Sequence, residues 1–98
     1  MAKYLSTWEI DDTRAPVDPK ERGKMWTQML GLIQQDMKDG IITDWGSIPG
    51  EGKGYSVSEQ SSLELSKSLQ RFYPFVKFEV RQVMTLEETM ELSKSLAE

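Results

Sequence analysis

The sequence predicts an α+β domain with the element order strand, helix, two strands, helix, strand, followed by a short extra helix. Three observations predict it. Helix starts are written as capping signals at Asp18, Ser61 and Thr85. Four short runs mix aromatic, β-branched and polar residues in the manner of strands. Glycine and proline fall between these runs where the chain must turn. Together the elements fill almost all of the 98 residues, so residues 1–98 form one domain.

The first strand is Lys3 to Ile10, with Tyr4, Ser6, Trp8 and Ile10 on one face and Leu5, Thr7 and Glu9 on the other. Neither face is purely polar, which suits a central strand. A loop containing Pro16 follows. Asp18-Pro19-Lys20-Glu21 then combines an N-cap, a proline at the first helical position and a capping-box glutamate. Met25, Trp26, Met29, Leu30, Ile33 and Met37 continue at helical spacing until Gly40, which is suited to a left-handed C-terminal stop. Ile41 to Ile48 reads as the second strand and Tyr55 to Glu59 as the third. The hairpin loop between them carries Gly50, Gly52 and Gly54. Ser61 with Glu64 opens the second helix, whose stripe is Leu65, Leu69 and Phe72, with Leu63 near its start. Pro74 ends it. Phe75 to Val83 alternates as the fourth strand, with Val76, Phe78 and Val80 set against Lys77, Glu79 and Arg81. Thr85 begins the last helix, with Leu86, Met90 and Leu96 expected to form its buried side. The string Leu-Ser-Lys-Ser-Leu occurs in both later helices. The flanking residues do not continue the match, so it reads as coincidence between two amphipathic helices.

Sequential right-handed crossovers turn this order into a ferredoxin-like βαββαβ fold, an antiparallel sheet of order 4-1-3-2 with both main helices on one face. The other face lacks a helix to cover it, and the first strand has apolar residues there. The expected solution is a homodimer formed through the sheets; the alternative is a monomer whose short C-terminal helix shields the sheet.

Composition removes several chemistries. With no cysteine in the chain, disulfides, thiolate metal sites and cysteine nucleophiles are excluded. With no histidine, the commonest general base and metal ligand are missing. No metal and no cofactor are therefore expected. A formal charge of −4 argues against nucleic-acid binding. No apolar run is long enough to span a membrane, and Met1-Ala2-Lys3-Tyr4 leads directly into a strand rather than a signal peptide's apolar stretch. The expectation is a cytoplasmic protein.

The carboxylates Asp11, Asp12, Asp18 and Glu21 match no calcium-loop spacing. Glycines 50, 52 and 54 precede a strand rather than a helix, so they make no phosphate cradle. Glu9, Asp44 and Glu79 are the acids available for proton transfer, and Arg14 is a loop cation suited to a carboxylate. The aromatic inventory is the stronger signal. Tyr4, Ser6 and Trp8 on the first strand, Trp26 and Met29 on the first helix and Phe72 after the second are the candidate ligand-binding residues. Ser6 leaves room between two aromatic neighbours for a small apolar or aromatic molecule. Core packing accounts for the same residues without any ligand.

Lys3-Tyr4-Leu5 with Thr7-Trp8, Asp44-Trp45-Gly46, Gly54-Tyr55, and Tyr73-Pro74-Phe75-Val76 through Phe78-Glu79-Val80 carry a resemblance over nearly the whole chain. The pattern resembles the dimeric α/β-barrel proteins, and within them a small uncharacterised bacterial and archaeal family. It departs at Gln82, where such relatives often have a proline. The superfamily includes monooxygenases, muconolactone isomerases, haem-degrading enzymes and sensor-like domains, so the resemblance implies a dimeric barrel without choosing a chemistry. Three functions remain open: a dimeric module that binds a small apolar or aromatic molecule or a protein partner, a cofactor-free isomerase or monooxygenase acting on an aromatic substrate, or a subunit or regulatory module inside a larger complex. Haem degradation fits less well, because no histidine can serve as an axial ligand.

Overall fold

The computed structural model describes residues 2–98. Its elements are β1 (Lys3–Ile10), α1 (Pro19–Lys38), β2 (Ile42–Ile48), β3 (Lys53–Glu59), α2 (Ser62–Gln70), β4 (Val76–Val83) and α3 (Leu86–Ala97). The four strands form one antiparallel sheet in the order β2-β3-β1-β4, which is 4-1-3-2 read from the other edge. β1 is central, as its mixed faces suggested.

The helix starts are where the capping residues place them. The Asp18 carboxylate accepts from the Glu21 amide at 3.2 Å, and the Ser61 hydroxyl from the Glu64 amide at 3.2 Å. Glu21 does not close a reciprocal box; its carboxylate turns outward to Lys24 at 3.4 Å. The full box occurs at Thr85, where the hydroxyl accepts from the Glu88 amide at 3.1 Å and the Glu88 carboxylate from the Thr85 amide at 3.0 Å. Gly40, just beyond the α1 cap, has φ 75°, the left-handed value its position requires.

The strand register sorts side chains into two faces. Trp8 lies opposite Gly54 and Phe78, and Ser6 opposite Ser56 and Val80. This face, with Ser58 and Trp45, lies beneath α1 and α2. The second face carries Leu5, Thr7, Glu9, Tyr55, Val57, Lys77, Glu79 and Arg81. Small serines therefore lie under the helices, while Tyr55 and Val57 lie on the opposite face.

α3 corrects one expectation. Leu86, Met90 and Leu96 do not form a buried side: Leu86 is 76% exposed and Leu96 79%. Every residue of α3 is exposed. The molecule is 61 Å long against 25 and 20 Å in its other dimensions. Its radius of gyration of 16.2 Å exceeds the roughly 12.5 Å of a compact chain this long. A self-capped helix about 18 Å long that projects from the body accounts for the shape. No helix among the described residues is long and apolar enough to cross a membrane.

Candidate functional site: a cleft between sheet and helices

Between the sheet and the α1/α2 layer lies an open cleft of about 850 Å³. It exists because the layers are spanned by large side chains at a few points and by small ones elsewhere. Leu65 and Phe72 are the buried apolar residues of the described chain. Phe72 meets Phe78 edge-on with ring centroids 6.0 Å apart. Around that contact, Ser56 and Ser58 offer too little volume to meet α1.

Two tryptophans form one side. Trp8 and Trp45 stack with centroids 5.4 Å apart and ring planes 10° apart, although their strands are separated by β3. The indoles reach each other only because β3 presents Gly54 and Ser56 beneath them. A Cβ on Gly54 would lie 2.6 Å from Trp8 Cζ2. The Trp8 indole N–H donates to the Tyr55 carbonyl at 3.3 Å, which holds the ring across the strand. The hairpin glycines thus serve two purposes. Gly50 (φ 79°) and Gly52 (φ 62°) make the turn, and Gly54 provides the ring's seat.

α1 contributes Arg22, Trp26, Met29, Leu30, Ile33 and Asp36, a stripe at three- and four-residue spacing. Arg22 lies over the Trp26 ring at 5.8 Å. At the far end the Arg71 guanidinium donates to Asp36 Oδ2 at 2.6 Å and, through Nε, to the Ser68 carbonyl at 2.8 Å. This contact ties the end of α1 to the end of α2. Asp36, Arg71, Ser58 and the buried Gln60 make this end of the wall polar.

Of the six residues singled out from sequence, Trp8, Trp26, Met29 and Phe72 line the cleft. Ser6 is fully buried beside Ser56 without forming part of the wall, and Tyr4 lies opposite Ser58, also outside it. The candidate acids lie elsewhere. Glu9 and Glu79 are exposed on the opposite face. Asp44 accepts the Tyr55 hydroxyl at 2.9 Å there, and this hydrogen bond pushes the Tyr55 pKa above its usual value. Arg14 borders a separate depression with Asp11 and Tyr73. Asp11 accepts the Thr13 hydroxyl at 2.6 Å, which lowers its pKa. Sequence reasoning missed Trp45, Asp36, Arg71 and Ser58. Asp36 was within reach, because it continues the Met29–Ile33 spacing; the contact between Trp45 and Trp8 depends on the sheet order.

No protein-family model matches this chain, and a search of curated proteins finds no significant match.

Proposed function

We propose that the protein is a dimeric binding module that takes a small apolar or aromatic molecule into the cleft between the sheet and α1/α2. The observation that carries this reading is the cleft: a mostly apolar space of about 850 Å³ bordered by Trp8, Trp26 and Trp45. That volume falls in the range of small-molecule sites. A structural core of the same residues would be filled, because protein interiors pack like organic crystals.

The homodimer rests on surface area. The accessible surface is 7254 Å². A compact protein of 11.3 kDa exposes about 5,700 Å². The excess exceeds the roughly 800 Å² per partner of a standard interface, and every residue of α3 is exposed. A ferredoxin-like protomer pairing as a dimeric α/β barrel is the assembly this supports. Light scattering should give about 23 kDa, two chains in a closed pair. A monomer at tens of micromolar would refute the dimer.

Ligand binding is tested by thermal shift and tryptophan fluorescence with a set of small aromatic compounds. Binding should raise the melting temperature and alter the emission. Trp26→Phe should weaken the response while keeping the fold. No shift from any compound at millimolar concentration would refute the module.

A second reading, a cofactor-free isomerase or monooxygenase, is favoured by one observation: the buried carboxylate of Asp36 lies in the cleft wall. Its Oδ2 is taken by Arg71, so binding remains the leading function.

A further inference from the structure

We propose that the cleft selects an uncharged ring compound bearing one hydroxyl or carbonyl group, and that Ser58 recognises that group. The proposal rests on the cleft-binding reading and specifies its ligand.

Ser58 is 3% exposed and belongs to the cleft wall. Its hydroxyl has no hydrogen-bond partner among the described residues. Ser6, diagonal to it across the β1–β3 ladder, is likewise buried and unpartnered. A buried hydroxyl without a partner costs free energy, and native proteins rarely keep one without a reason. An alanine at position 58 would fill nearly the same space at no such cost. A serine is useful there when something entering the cleft completes its hydrogen bond.

The sheet sets the ligand's length. Ser56 and Ser58 lie on one face, two residues apart along β3, a separation of about 7 Å. Trp45 sits opposite Ser56, and Trp8 opposite Gly54. A ring beside the tryptophan pair therefore places an oxygen on its far side at Ser58.

Charge sets the polar group's kind. The charged side chains flanking this end, Asp36 and Arg71, neutralise each other. An ionised head placed at Ser58 would lose its hydration without a free counter-charge at this end, since the wall cation Arg22 stands at the opposite end of α1 from Asp36. A neutral oxygen loses less, and the serine hydroxyl replaces the lost water.

The test compares three probes on the 98-residue chain at neutral pH, followed by NMR titration: 2-naphthol, naphthalene and 2-naphthoate. Naphthalene measures the apolar cleft alone. The native protein should bind 2-naphthol about tenfold more tightly than naphthalene, the value of one hydrogen bond made in a buried site, and 2-naphthoate most weakly. Ser58→Ala should abolish the preference, so that 2-naphthol and naphthalene bind alike. Equal binding of 2-naphthol and naphthalene by the native protein, tightest binding of 2-naphthoate, or a preference that survives Ser58→Ala would overturn the proposal while leaving the cleft reading intact. Failure of all three probes to bind would overturn both. The native-protein comparison stands without any variant, and Ser58→Cys, with a weak donor of similar shape, provides a second check.

Discussion

Gly54→Ala is the sharpest test of how the cleft is built. Gly54 does not have a positive φ and sits within β3, so its own φ permits an alanine. By itself the change would stabilise by about 0.4–1 kcal/mol, through a less mobile unfolded chain. The structure reverses that sign. The new Cβ would run first into the Gly46 backbone carbonyl on β2, and would also lie 2.6 Å from Trp8 Cζ2 and 2.8 Å from Cε2. The indole has to retreat by about 0.9 Å to reach ordinary carbon–carbon contact near 3.5 Å. It is not free to do so, because it stacks on Trp45 and donates to the Tyr55 carbonyl. Losing the stack costs about 0.5–1.5 kcal/mol, and the hydrogen bond a similar amount. Overpacking of a fitted site adds about 1–3 kcal/mol. These terms overlap, and the net expectation is destabilisation by about 2–4 kcal/mol. Urea unfolding at 25 °C reads the loss as a lower midpoint, and near-ultraviolet circular dichroism reads the broken indole pair. Gly23→Ala is the control. Nothing lies within 4 Å of its Cβ in α1, so it should stabilise by about 0.5–1 kcal/mol. A Gly54→Ala protein with an unchanged midpoint and aromatic spectrum would refute the account of the tryptophan seat.

Arg71→Ala should destabilise by about 2–3 kcal/mol, below the range for a fully buried pair because the arginine is about one-third exposed; a double-mutant cycle with Asp36→Ala isolates the coupling. Asp18→Ala should lower stability by about 0.5–2 kcal/mol through the lost α1 cap, seen as a lower urea midpoint. The raised pKa of Tyr55 means its hydrogen bond to Asp44 contributes below pH 10 and is lost as pH rises through the folded-state value. Absorbance titration should show one tyrosine ionising late, and Tyr55→Phe should remove that step. Asp11 has the opposite sign: its bond to Thr13 contributes above the ordinary carboxylate value of 3.8 and is lost as pH falls through the lowered one. Thr13→Val should move the Asp11 titration, followed by NMR, upward.

Local rules were legible in the sequence wherever one segment contains both partners. Asp18, Ser61 and Thr85 start helices because each side chain bonds an amide three residues ahead. Gly40 stops one because it takes a left-handed conformation. The α1 stripe placed Trp26 and Met29 on the cleft side by spacing alone. What was not legible depends on segments far apart in the chain. Trp8 and Trp45 meet only across β3, over a glycine and a serine whose smallness acquires meaning once the strands are ordered. Asp36 and Arg71 pair across 35 positions, where two helices end together. Ser58 looked like one of the polar residues alternating with Tyr55 and Val57, and it is the one beneath the helices.

The repeated string Leu-Ser-Lys-Ser-Leu shows the division most directly. By itself the sequence determined that both copies are helical, since each follows its own cap and keeps its apolar residues at helical spacing. Burial was decided only by the tertiary structure. In α2 the first leucine, Leu65, is buried and lines the cleft. In α3 the equivalent Leu92 is exposed, because no other described element covers that helix. Helix formation depends on hydrogen bonds within a turn or two, whereas burial requires a second surface whose position depends on the path of the rest of the chain.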